Sequence, residues 1–556
     1  MAALAFFQVS NCIYLLYFNE NSMKRNSIFI IIFNLIFLSN AIAQPGNDVS
    51  DDVQILSSFN AKLQASHKLR TTPNLLAVSN NSNELLTYSL PTRLLSLPYE
   101  PPVIRPLAMP KEKIEPGFNF YGKVGYGSPY SPFADLRYNG RAKDLDYGIA
   151  LKHHSANNNA NVASQRFSNS GITANGTYYT KSMGIGGKIG YTLDDYYLYG
   201  ANAGDTITSD TLRNRFNTIF IGAELFNSEL TRSDLNYKGQ IDFYRMSDGY
   251  SGSDLGIIAK AGMTKSFGDN LLTVDLINDF NTYNEDTAGA SNNLLSLKPS
   301  FTYKKADFQI RAGVNAGLDS SFYILPDVEA SYSLSGGKFI VIAGWESDVI
   351  KNSYRSTIDV NPFIFAPLEL RNSRVQKQYG GIKVALNGLN VLATIGNKSV
   401  RNLQLYVNDT TDLRYFHTRY ASGNIFNIHG EATLNFIKNL EIGGTIDLNT
   451  YNLDEARAWH LPNFESNITA KYSALKDKLH IKGELYLANS IPYMDENGVE
   501  NVLNGVFDLS LGADYSITKN IAVFLDLNNI TAQRYVRWYR YPNFGFNILG
   551  GVKARF

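Results

Sequence analysis

Between Arg534 and Tyr541 three arginines, Arg534, Arg537 and Arg540, interleave with Tyr535, Trp538, Tyr539 and Tyr541. Guanidinium groups and aromatic rings mixed this closely suit three tasks. The rings can form a girdle at a membrane interface. They can stack on sugars or on a partner protein at an extracellular mouth, where Arg and aromatic residues concentrate binding energy. The guanidinium groups can pair through their forks with phosphates of lipopolysaccharide. All three are binding tasks, and catalytic chemistry finds less material. The seven histidines are scattered, and the nearest approach to a nucleophile beside a base is His153-His154-Ser155. Adjacent strand residues point to opposite faces, so at most one of these histidines lines any pocket. Asp194 with Asp195, and Asp409 with Asp412, are carboxylate pairs a Ca²⁺ ion could use, but no EF-hand spacing surrounds them. We expect no catalytic residues, no cofactor and no metal site.

The elements that must carry these residues are strands. From Pro542 to the end, Phe546, Ile548, Val552, Ala554 and Phe556 alternate with Asn547, Lys553 and Arg555. Upstream, Phe507, Leu509, Leu511, Ala513 and Tyr515 alternate with Asp508, Ser510, Gly512, Asp514 and Ser516. A row with two carboxylates and two hydroxyls cannot face a dry core. A lipid-facing apolar row and a water-facing polar row explain it, with Phe556 as the barrel-closing end. A soluble antiparallel β-protein alternates in the same way and is the competing reading.

The amino terminus favours the envelope. Lys24 and Arg25 precede an apolar run from Ile28 to Leu38, and Ala41-Ile42-Ala43 offers a small-x-small cleavage site before Gln44. This predicts a signal peptide over 23–43, with 1–22 as a mis-called upstream extension. The one cysteine, Cys12, would then be missing from the mature protein, which excludes disulfides and thiol chemistry. Residues 44–116 carry prolines at 91, 98, 101, 102, 106, 110 and 116, which favour an extended periplasmic or lumenal segment over a regular domain. A net charge of +1 gives no reason to invoke nucleic acid.

Residues 117–556 fit an all-β fold, a transmembrane antiparallel barrel of about 22 strands. The closing strands are expected to start near 439, 457, 478, 505, 520 and 542. Short turns at Asn139-Gly140-Arg141, Phe267-Gly268-Asp269-Asn270, Lys304-Lys305-Ala306, Ser335-Gly336-Gly337 and Lys476-Asp477 read as periplasmic. The longer connections 155–169, 200–215, 350–376 and 490–504 read as extracellular loops.

Two stretches resemble a known family. Asn528, Asn529, Arg534 and Tyr535, followed by Arg537-Trp538-Tyr539, Tyr541-Pro542-Asn543 and the last strand, look like the carboxyl end of TonB-dependent outer-membrane receptors. Ile530 and Thr531 depart from that pattern. Tyr354, Arg355, Asn361 and Pro362 are similar to a loop of those receptors in the Bacteroidota. The resemblance covers 117–556 and implies a Gram-negative outer membrane, with outer-membrane lipid, lipopolysaccharide, the barrel-assembly machinery and TonB or other envelope proteins as partners. Such receptors carry a folded plug, and no plug is recognisable here. Asp51-Asp52-Val53-Gln54-Ile55 echoes a TonB box. A lumen this wide must be obstructed by 45–116, by loops such as 350–376, or by another chain. The expected function is transport or uptake across the outer membrane. The alternative is a binding or scaffold subunit of an outer-membrane complex.

Overall fold

A computed structural model describes residues 118–556 apart from 201–211, 230, 232, 286–288, 366–368 and 436. The expected leader, the proline-rich segment and the TonB-box echo lie outside the described residues. The described chain forms a 22-stranded antiparallel sheet in which each strand pairs with its neighbours in sequence, closed where Phe120–Ser128 meets Asn547–Arg555. Closure removes every free sheet margin, which is how strands satisfy their backbone within lipid.

Period two explains which side is which. On the strand Arg213–Asn227, Ile219 and Ile221 are about half exposed on the outer surface, while Phe216 and Thr218, at alternate positions before them, are buried on the inner one. The same holds where Phe507 and Leu511 face out and Asp508 and Ser510 face in. The apolar exterior belongs to a barrel that stands in an outer membrane. The interior is polar, and many of its charges are paired. Lys123 and Lys482 both lie 3.1 Å from Asp526, and Arg311 reaches Asp327 at 2.5 Å and Glu346 at 2.9 Å.

Most short turns gather at one end of the barrel, and the longest connections stand at the other. Gly268, Ser335, Gly336, Gly337, Lys476 and Asp477 sit in the expected turns with positive φ. The turn expected at Asn139-Gly140-Arg141 falls instead at Lys143 and Asp144, because 139–141 remain paired inside Ser131–Ala142. The far end of the Tyr147 ring lies close over Gly140, where a Cβ would displace it. The strands expected near 457 and 542 begin at Phe464 and Asn547. In both cases the preceding residues are built into ordered loops, 454–463 and 529–546, where aromatic side chains prefer each other to a strand position. Two small hairpins stand on the long-loop end, Ile491–Met494 with Glu500–Leu503, and Val536–Trp538 with Tyr541–Pro542.

The seam is tightly packed. A Cβ on Gly551 would meet the Val124 carbonyl and the Phe524 ring. Forcing a side chain into such a contact costs about 1–3 kcal/mol or more. Gly551→Leu should therefore leave much of the protein at the unfolded mobility in unheated gel electrophoresis, where the wild-type barrel runs compact; an unchanged compact band would mean the seam yields.

Candidate functional site

The connection 351–372 begins with the helix Tyr354–Val360, the only helix among the described residues. Ser353 caps it: its Oγ accepts from the Ser356 N–H at 3.1 Å, and the Ser356 Oγ accepts from the Ser353 N–H at 2.8 Å. Seven residues do not hold a helix in water, so docking must do so. Spacing of three and four brings Tyr354, Thr357 and Ile358 to one buried face. Tyr354 and Ile358 join Phe216, Met246, Tyr283 and Leu370 in a cluster on the inner wall. The Tyr354 hydroxyl donates to Asp248 Oδ2 at 2.9 Å; burial, with the Asp248 charge, pushes its pKa well above the ordinary tyrosine value, so it keeps the proton it donates. The Arg355 N–H donates to Asp254 at 2.9 Å, and its guanidinium lies 4.7 Å over Tyr244. Asn292 donates both to the Asn352 carbonyl and to Asn372 Oδ1, each at 2.8 Å, tying the two ends of the connection to one strand.

The far side of the same connection docks on other strands. Gln404 donates to Thr357 Oγ1 at 2.9 Å. Ile364 forms an isolated parallel bridge with Phe416, whose N–H donates to the Phe363 carbonyl and whose carbonyl accepts from the Phe365 N–H. Phe363 lies face to face with Tyr541, ring centres 3.5 Å apart and planes within 15°. The Tyr541 hydroxyl donates to the Arg414 carbonyl at 2.5 Å. Around this stack pack Leu198, Leu212, Tyr406, Phe416 and Trp538, all buried. Connection 351–372 therefore reaches from the strands around Tyr244 and Asn292 across to those around Gln404 and Phe416, and meets the 529–546 loop there. It is a cap on the long-loop end.

The two residue sets singled out in the sequence thus meet in one assembly. Tyr354 and Arg355 anchor the cap to the wall; Asn361 ends the helix, its N–H donating to the Thr357 carbonyl at 2.9 Å, and Pro362 is buried beside it. Tyr541 stacks on Phe363, and Trp538 sits among Tyr406, Phe416 and His460. Tyr535 donates to Asp508 at 2.9 Å and borders a cavity of about 240 Å³ with Val502 and Gln533. Arg537 donates from Nη1 to the His460 carbonyl at 2.5 Å, and burial lowers its pKa. Tyr539 stacks on Tyr493 at 4.2 Å, and Arg540 lies over Tyr539 at 5.6 Å. Phe556 closes the seam with Phe120 through two backbone hydrogen bonds.

Sequence reasoning missed Phe363, Phe416 and His460. Buried His460 accepts no proton readily: desolvation lowers its pKa to about 3, and its Nδ1–H donates to the Tyr406 carbonyl at 2.8 Å. The usable signal was the crowding of apolar rings in 359–365 and 415–416, longer than a solvated loop needs. The other candidate chemistries are placed apart. His153 is on the outer surface between Ser170 and Ser155, 2.9 and 3.1 Å away. Asp195 binds Arg213 and Arg215, while Asp409 bonds to Thr411, His417 and the Asp412 N–H.

No protein-family model matches the sequence, and no curated protein does. The fold has solved counterparts. A ferripyoverdine receptor of the outer membrane of Pseudomonas aeruginosa is 12% identical over 80% of this chain and 72% of its own, with a TM-score of 0.60. A ferric enterobactin receptor of the same organism is 11% identical over 79% and 80%, TM-score 0.60. The ferric-catecholate import receptor of E. coli K12 is 10% identical over 79% and 82%, TM-score 0.60. At these identities the likeness is one of fold.

Proposed function

We propose that this protein is an outer-membrane receptor of the transport class, in which the 351–372 cap closes the extracellular mouth and a ligand or partner releases it. The observation that carries the reading is the cap itself: one connection pinned to opposite parts of the wall by buried hydrogen bonds and a ring stack. A wide lumen needs obstruction in either role, but a passage also needs one that can be released, and docking through hydrogen bonds and a ring stack is releasable. The shared fold with outer-membrane import receptors supports the same reading. Residues 51–55 are assigned contact with TonB, and the wide lumen is assigned to a chain of the Bacteroidota type without a folded plug.

Deleting residues 45–60 should abolish uptake of one nutrient while leaving the barrel inserted and compact on gels. Mass spectrometry of the gently solubilised protein completes the test. Unchanged growth of the deletion strain on every nutrient, together with a stoichiometric envelope protein bound to the barrel, would replace transport with the scaffold role.

A further inference from the structure

On the outer surface, four neighbouring strands lay their side chains in registered rows. Leu151, Ile172, Tyr191 and Ile219 form one row, all exposed and apolar. Two residues further towards the long-loop end, His153, Ser170, Leu193 and Asn217 form the next. Two further on come Ser155, Ser168, Asp195 and Arg215, and above Arg215 stand Arg213 and its cross-strand neighbour Tyr197. Strand residues rise about 3.3 Å each, so the first arginine lies about 13 Å along the strand from the last apolar row. Outside the apolar band of such a barrel the polar headgroup layer follows.

Among the described residues the charges there do not balance. Asp195 takes Nε and Nη2 of both Arg213 and Arg215, at 2.7 to 3.1 Å. The carboxylate side chain is 9% exposed, whereas the two arginines are 33% and 38% exposed. Arg166 joins them, its guanidinium 4.0 Å over the Tyr197 ring, with a buried Nε that has no hydrogen-bond partner among the described residues. Two guanidinium groups thus share one carboxylate and a third lies beside them over Tyr197, three positive groups to one negative among the described residues of these rows. Arginine forks match phosphate oxygens, and an anion at headgroup depth meets them without crossing lipid.

We infer that Arg166, Arg213 and Arg215 form an outer-wall site for the phosphate of a phosphorylated glycolipid in the outer leaflet, whose acyl chains lie on the Leu151 to Ile219 row. The ring of Tyr197 holds Arg166 in place, and Asp195 sets the spacing of the other two. The inference rests on the barrel standing in an outer membrane and is independent of the transport reading.

The test uses the mature protein in phosphatidylcholine nanodiscs. Phosphorylated lipid A, the same lipid freed of phosphate, and inorganic phosphate are offered separately, and retained copies are counted by native mass spectrometry. Wild-type protein should retain the phosphorylated lipid about tenfold better than the dephosphorylated one. Arg166→Gln with Arg215→Gln should erase that preference while Arg213 still neutralises Asp195, and an unheated gel confirms that the variant barrel is compact. Equal retention of both lipids by the wild type overturns the inference, as does an undiminished preference in a compact variant. Displacement of the lipid by millimolar inorganic phosphate also overturns it, because the site would then hold a free anion.

Discussion

A cysteine pair at positions 365 and 417 should stop uptake when oxidised and restore it when reduced. Ile364 and Phe416 are bridged in parallel, and Phe365 and His417 follow them one residue on, with ring centres 5.8 Å apart. Paired positions on neighbouring strands have the spacing a disulfide requires. Phe365 is 45% exposed, so replacing it removes little packing. The expected mature chain has no other thiol, which keeps the oxidised product single. The bond would staple the cap to the strand Phe416–Leu434, and transport that needs release of the cap should fall to background. Uptake that continues at the wild-type rate in fully oxidised protein would show that solute passes without moving 351–372.

Acid should loosen the same cap. His460 is fully enclosed, and desolvation is the main cause of its lowered pKa, with the Arg537 charge adding to it. The ordinary histidine value is near 6.5, so the neutral form favours the docked cap. That stabilisation is complete above about pH 6.5 and is lost progressively as pH falls towards about 3. At pH 4 the loss reaches about 3 kcal/mol, enough to compete with docking of one loop. The Arg414 side chain holds the Asp412 carboxyl below the usual range, which favours its ionised form. Asp409 also stays ionised: burial opposes this, but hydrogen bonds from Thr411, His417 and backbone N–H groups outweigh it. Trp459 and Trp538 flank the site, so intrinsic fluorescence should shift between pH 6.5 and 4 in the wild type and stay flat in His460→Asn. A flat wild-type trace would show that the cap does not depend on the neutral imidazole.

The barrel was far more legible than its cap, for a physical reason. Strand alternation is local: Asp508 and Ser510 declare their face through their immediate neighbours, and the strands expected near 439, 478, 505 and 520 begin at Leu440, Leu479, Val506 and Ile521. The cap depends on contacts between distant positions. Tyr541 looks the same in the sequence whether it faces lipid, solvent or Phe363, and nothing near it names a partner so far back in the chain. The same blindness affected 457–463 and 542–546, where apolar residues at strand-like spacing serve a loop interior. On the outer wall, Asp194-Asp195 read as a carboxylate pair, but alternation sends the two to opposite faces and gives Asp195 to arginines on the next strand.

The seam between Phe120–Ser128 and Asn547–Arg555 also sets the order of assembly. Lys123 waits for Asp526, 403 positions away, and Phe120 exchanges its backbone hydrogen bonds with Phe556. Throughout synthesis and export the first strand therefore carries an unsatisfied edge, open to any other extended chain in the periplasm. Anything that masks the leading strand until the trailing one arrives should therefore raise the share of chains that close, and so the yield in the membrane, without adding to the stability of the closed barrel.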